Sequence, residues 1–246
     1  MRTILSRSLR IFRAYPGLFI AVVLVSALPV GVLGIASALA VEDTSDRAQA
    51  AVGALIQLVP LVLIYPISWV AGTVATLAIL HRRSPTVSGA FEPVGVRFWP
   101  MAGVLLLYTV GVVGGWLAFI APGVFLLVTW LFASQAAVIE GLGVTGSLSR
   151  SAALIRNGWW RCFATFLVLE LVTSAVIVAV LLLVGVATDG LTTNAQIVVS
   201  GAASILLTAL VKPFQIIGIA LLYLDRRVRL ERAWPPLPAV GGARAG

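Results

Sequence analysis

Apolar positions in this chain do not alternate with polar ones; they come in long runs that hold no charge. No charged residue occurs from Ala14 to Val41, from Ala48 to Leu80, or from Phe98 to Ile139. Runs of this length exceed the roughly 20 residues a helix needs to cross the hydrocarbon of a bilayer. The third run is long enough for two crossings, and Ala121-Pro122-Gly123 divides it, because Pro and Gly together mark a turn. The predicted spans are about 16–40, 54–80, 98–120, 123–139, 160–187 and 195–224. Pro60 and Pro66 predict a kink in the second. The expected fold is all-α: a polytopic membrane protein with six transmembrane helices in one domain, 16–224. A cytoplasmic amphipathic helix (1–15) precedes it and a flexible Arg-, Pro- and Gly-rich cytoplasmic tail (225–246) follows it.

The arginines orient these spans. Arg2, Arg7, Arg10 and Arg13 precede the first, and Arg82, Arg83 and Arg97 lie between the second and third. Arg150, Arg156 and Arg161 lie between the fourth and fifth, and Arg226, Arg227, Arg229, Arg232 and Arg244 follow the sixth. With six spans every one of these segments falls on one side. The other side carries Glu42, Asp43, Asp46 and Asp189 with only Arg47 basic. Positive charge is retained on the cytoplasmic face, so both termini are expected in the cytoplasm and the expected location is a bacterial plasma (inner) membrane. Five or seven spans would break this parity. Ala38-Leu39-Ala40 resembles a leader-cleavage site, but the apolar run ahead of it is longer than a leader's, and a retained first span is expected.

Short stretches ahead of the spans are patterned too. Leu5-Ser6-Arg7-Ser8 recurs as Leu148-Ser149-Arg150-Ser151, and each copy leads into a span. Leu148, Ala152, Ile155 and Trp159 fall on one helical stripe with Arg150 opposite; Ile4, Ile11 and Tyr15 do the same with Arg10 and Arg13 opposite. These predict short amphipathic helices in the cytoplasmic interface, with Arg7, Arg10, Arg13, Arg150 and Arg156 as contacts for lipid headgroups. A weaker third copy at 88–99 is interrupted by Pro93 and Gly95, which oppose a helix. The alternative is that any basic approach to a span looks like this.

Composition narrows the chemistry. The chain is 60% hydrophobic and 11% charged, too little polar surface for a soluble domain. The formal charge of +8 flanks apolar spans, which points to lipid and not to nucleic acid. One cysteine, Cys162, and one histidine, His81, are too few for a His/Cys metal site, and no cofactor is expected. No phosphate-binding loop, zinc-protease motif or nucleophile elbow occurs, so no catalytic residue is assigned and no enzyme activity is expected.

Two charges do lie inside the spans: Glu170 in the fifth and Lys212 in the sixth. At about 1.5 Å per residue both sit some 15–18 Å from the cytoplasmic end, so adjacent helices could bring them together. Such residues pair, or line a polar path. A buried ion pair holding two helices in register is one reading. The other is a polar site between the fourth, fifth and sixth spans lined by Gln135, Glu170 and Lys212. Pro213 beside Lys212 removes one helix hydrogen bond there.

Several motifs occur together: Ala121-Pro122-Gly123, then Ala137-Val138-Ile139-Glu140-Gly141-Leu142-Gly143, the segment Ser147–Trp160, Pro213, and Ala220-Leu221-Leu222-Tyr223-Leu224-Asp225-Arg226-Arg227-Val228-Arg229. In these the chain resembles the membrane domain fused to some glycerophosphoryl diester phosphodiesterases, and its stand-alone bacterial relatives. The resemblance is good over the second half and loose over the first. It implies no phosphodiesterase activity, because the metal-dependent barrel that names the family is not in this sequence. It departs at Lys212, where the family carries a small or hydroxylated residue. Glu140 is read as the end of the fourth span ahead of the Gly141/Gly143 turn. The function expected first is a partner, scaffold or regulator in a plasma-membrane assembly, with anionic lipid and a membrane protein as partners. A small-molecule or lipid transporter is the alternative.

Overall fold

The computed structural model describes residues 2–42 and 66–231, and among these every regular element is a helix. In chain order they are α1 (Arg2–Ala14), α2 (Pro16–Glu42), α3 (Pro66–Leu80), α4 (Val87–Val96), α5 (Phe98–Ala118), α6 (Ile120–Thr129), α7 (Ala133–Ile139), α8 (Val144–Arg156), α9 (Trp159–Ala187) and α10 (Thr193–Glu231). Five stretches are long and apolar enough to cross a membrane: Pro16–Leu39, Phe98–Ala118, Ile120–Ile139, Trp159–Ala187 and Thr193–Glu231. The protein is therefore a helical membrane protein. Of the expected second span, α3 supplies Pro66–Leu80, while 54–65 with Pro60 lies outside the described residues.

α10 is the spine, packing on α1, α2, α8 and α9. Small residues bring it close. A Cβ on Gly31 of α2 would lie 2.2 Å from Ile205, and one on Gly201 of α10 would lie 2.3 Å from Ile35. Glycine on each helix thus receives the other's isoleucine, the type of close packing that joins helices where water gives no driving force. Gly72 of α3 receives Ile216 in the same way. α10 stays helical through Pro213. Its 39 residues span about 58 Å, well beyond a hydrocarbon layer of about 30 Å. The charged stretch from Asp225 to Glu231 supplies about 10 Å of that excess.

Two expected boundaries change. The chain breaks between α5 and α6 at Phe119, earlier than the Ala121-Pro122-Gly123 turn, and Pro122 sits in the first turn of α6, where its missing N–H costs nothing. The hairpin is tight because Gly115 faces the backbone of Gly123, whose N would be 2.8 Å from a Cβ. The expected fourth span is also discontinuous, interrupted between Thr129 and Ala133. Ser151 of α8 explains this. Its hydroxyl donates to the Thr129 carbonyl (2.8 Å) and accepts from the Phe132 amide (3.1 Å), satisfying the backbone groups that the break frees.

Three short helices each lead into a long one: α1 into α2, α4 into α5, α8 into α9. α4 forms despite Pro93 and Gly95, because Thr86 caps it by accepting from the Gly89 amide at 3.1 Å and Pro93 is buried against the core. The inner face of α8 is Ser147, Ser151, Leu154 and Ile155, rotated from the expected apolar stripe and turned toward neighbouring helices. α1 likewise buries Ser8 and Ile11.

Candidate functional site

The two intramembrane charges meet. Glu170 stands about 16 Å along α9 and Lys212 about 18 Å back from Leu224 on α10, at about 1.5 Å per residue. Lys212 Nζ lies 3.4 Å from Glu170 Oε1. Gln215, one turn further along α10, completes the cluster: its Oε1 accepts from Lys212 at 2.8 Å and its Nε2 donates to Glu170 Oε2. Thr173 donates to Gln215 Oε1 at 3.4 Å, and Ser174 donates to Glu170 Oε1 at 3.1 Å. Gln215 and Thr173 are buried, while the Lys212 and Glu170 side chains are 25% and 37% exposed.

That exposure faces a cavity of about 400 Å³, whose lining includes Ser26, Ser68, Trp69, Glu170, Lys212 and Ile216. Its wall is formed by α2, α3, α9 and α10. Among the described residues its other lining hydroxyls are those of Ser26 and Ser68, which are joined by a 2.7 Å hydrogen bond. Ser68 also bonds the Val22 carbonyl at 2.7 Å. One wall is thus ionic and the second carries two hydroxyls, while Val23, Pro66 and Ile216 line it with apolar surface.

Gln135 is placed elsewhere. It is fully buried in α7, accepts from Ser134 at 3.2 Å, and lines no part of this cavity. Its Nε2 has no hydrogen-bond partner among the described residues. The polar site therefore lies between α2, α3, α9 and α10, and not beside α7. Gln215 was the residue the sequence reading passed over. Its spacing of three from Lys212, which puts both on one helix face, was the available signal.

A second polar cluster ties the arginine-rich segments together at one end of the bundle. Glu140 Oε2 is 2.6 Å from Arg150 Nε, and its Oε1 accepts from the Tyr223 hydroxyl at 2.8 Å and lies 3.7 Å from Arg227 Nε. Glu231 pairs with Arg227 at 3.2 Å and with Arg150. Arg226 donates to the Leu154 carbonyl at 3.0 Å, Arg97 donates to the Gly141 carbonyl at 2.8 Å, and Arg161 approaches Asp225 at 4.0 Å. Glu140 is thus more than a helix end: it is the hub of a buried network, with Gly141 beyond it in the left-handed region at φ 70. Arg150 spends its guanidinium on two carboxylates, whereas Arg7, Arg10, Arg13 and Arg156 are exposed. No group of three or more His, Cys, Asp or Glu side chains converges as a metal site among the described residues.

No family model, curated protein or solved structure matches the chain. Nothing among them identifies the phosphodiesterase-associated membrane domain that the sequence resembles.

Proposed function

We propose that this protein handles a small amphiphile, as a transporter or lipid-handling protein, and binds the polar part of that molecule at Glu170 and Lys212. The observation that carries the reading is an ion pair lining a cavity deep in the helical bundle. Charge at that depth is expensive, and it is retained where it serves a pathway or a ligand. A cavity of about 400 Å³ is in the range of small-molecule sites, which are mostly apolar with a few convergent polar groups. A zwitterionic or hydrogen-bonding headgroup would exchange with the Lys212–Glu170 contact, and its apolar part would lie against Trp69 and Ile216. The setting we infer is a bacterial plasma membrane, with both termini and the exposed arginines of α1 on the cytoplasmic face.

The test is a ligand screen on detergent-purified protein, reading thermal stabilisation by polar lipids and small zwitterions. A stabilising ligand whose effect disappears in Glu170→Gln and Lys212→Met, with both variants still folded, supports the proposal. A silent panel together with a stoichiometric co-purifying membrane protein overturns it, and leaves the partner, scaffold or regulator reading.

A further inference from the structure

A second cavity, of about 500 Å³, lies between α6, α8 and α9. Its lining includes Phe125, Thr129, Ser149, Arg156 and Trp159. We infer that it is a specific site for the phosphate of an anionic phospholipid.

Three features combine. First, two of its residues carry buried polar atoms with no partner among the described residues: Thr129 Oγ1 and Trp159 Nε1. A buried donor without an acceptor is costly, and nearly all buried polar groups in proteins find a partner. Trp159 is also held rigidly. Its ring stacks on Phe125 (centroids 6.0 Å apart, planes 18° apart) and on Phe163 (5.4 Å, 15°). Its N–H is therefore fixed in place and cannot rotate away to water.

Second, Arg156 closes α8 at the edge of the cavity. It is exposed and has no carboxylate partner among the described residues. Trp N–H and Arg guanidinium donate only, and no Asp or Glu lines the cavity among the described residues. The complementary ligand is rich in acceptors and anionic, which describes a phosphodiester. The backbone break beside it offers no competing cation site, because Ser151 already holds the Thr129 carbonyl.

Third, the aromatic wall decides between a lipid and a free anion. Phe125 and Trp160 are largely exposed beside Trp159 and Phe163. They form an apolar and aromatic surface that runs from the cavity along the start of α9, where acyl chains would lie. This inference shares the membrane setting of the proposal above but uses a different cavity, so variants of Glu170 or Lys212 leave it untouched.

The experiment titrates detergent-purified full-length protein with short-chain phosphatidylglycerol and, separately, phosphatidylcholine, following the thermal midpoint. Phosphatidylglycerol is expected to bind at least about tenfold more tightly. Arg156→Gln should weaken it about tenfold, the loss of one charge-assisted hydrogen bond. Trp159→Phe keeps the stacking and removes only the N–H, and should weaken it severalfold. Arg10→Gln, on the exposed face of α1, should change nothing. Equal affinity for the two lipids overturns the inference. So does an equal effect of Arg10→Gln, which would mean diffuse attraction, or inorganic phosphate reproducing the shift, which would mean a free-anion site.

Discussion

Replacing Glu140 with Gln should destabilise the protein by about 3 kcal/mol. The side chain is 10% exposed and accepts from Arg150 and Tyr223 while lying 3.7 Å from Arg227. Gln keeps the size and one acceptor, so the change isolates the charge. Breaking a buried pair by removing one partner costs roughly 3–5 kcal/mol, mostly because a charge is left buried. Two facts favour the low end. Arg150 is 21% exposed, and both arginines retain Glu231. Tyr223→Phe, which removes one hydrogen bond to a carboxylate, should cost about 1.5 kcal/mol. Ordinary hydrogen bonds between membrane helices average only about 0.6 kcal/mol, so the argument requires the charge to dominate. Unfolding by SDS in mixed micelles, followed by helical circular dichroism, measures this. The double variant Glu140→Gln, Arg227→Met should recover about 1 kcal/mol or more. A Glu140→Gln cost at or below that of Tyr223→Phe would refute the reasoning, since the carboxylate would then act as a plain acceptor.

Three further predictions use the same unfolding assay. Ser151→Ala should cost about 1–3 kcal/mol, because the Phe132 amide and Thr129 carbonyl lose their shared partner; Ser149→Ala, whose hydroxyl only bonds the Gly146 carbonyl at 2.9 Å on an exposed face, should be near neutral. Gly115→Ala should cost about 1–3 kcal/mol by pushing apart the α5–α6 hairpin, where backbone atoms cannot yield, whereas Gly114→Ala has open space and should be neutral or slightly stabilising. In a double-mutant cycle, Glu170→Gln and Lys212→Met should couple by about 0.5–1.5 kcal/mol, less than the Glu140 network, because both side chains keep solvent-sized exposure on the cavity. A coupling of about 3 kcal/mol or more would favour a purely structural pair.

How far these features were legible in the sequence depended on the range of the interaction. Charge-free runs fixed the starts of α2 at Pro16 and α5 at Phe98, because transfer of charge into hydrocarbon is a local cost paid residue by residue. Equal depth along neighbouring spans made a Glu170–Lys212 contact feasible, since helix geometry alone supplies depth, but only the packing of α9 on α10 brings the two together. Rotation about the helix axis is a different matter. The face of α8 turned inward is fixed by Ser151 finding the broken backbone of α6 and α7, a contact between segments about 20 residues apart that no periodicity encodes. Gln135 and Gln215 look alike as lone amides in apolar helices. Only packing decides that one joins the ion pair and the other does not.

The arginines show how one signal carries two meanings. Read by side alone, Arg150, Arg226 and Arg227 were surface charges that mark the cytoplasmic face. In the fold Arg226 and Arg227 are 8% and 7% exposed, and with Arg150 they are held by Glu140, Glu231 and the Leu154 carbonyl. The charged end of α10 is thereby locked onto α7 and α8, and the same helix carries Lys212 and Gln215 at its centre. Any ligand-driven movement of α10 at the Glu170 cavity would have to strain that lock or pivot about it. The network and the cavity thus share one continuous helix. Measured ligand affinity at Glu170 and Lys212 should accordingly change in Glu140→Gln, although Glu140 lines no part of the cavity. An unchanged affinity in a folded Glu140→Gln protein would mean that α10 is a rigid wall and that binding is confined to the cavity itself.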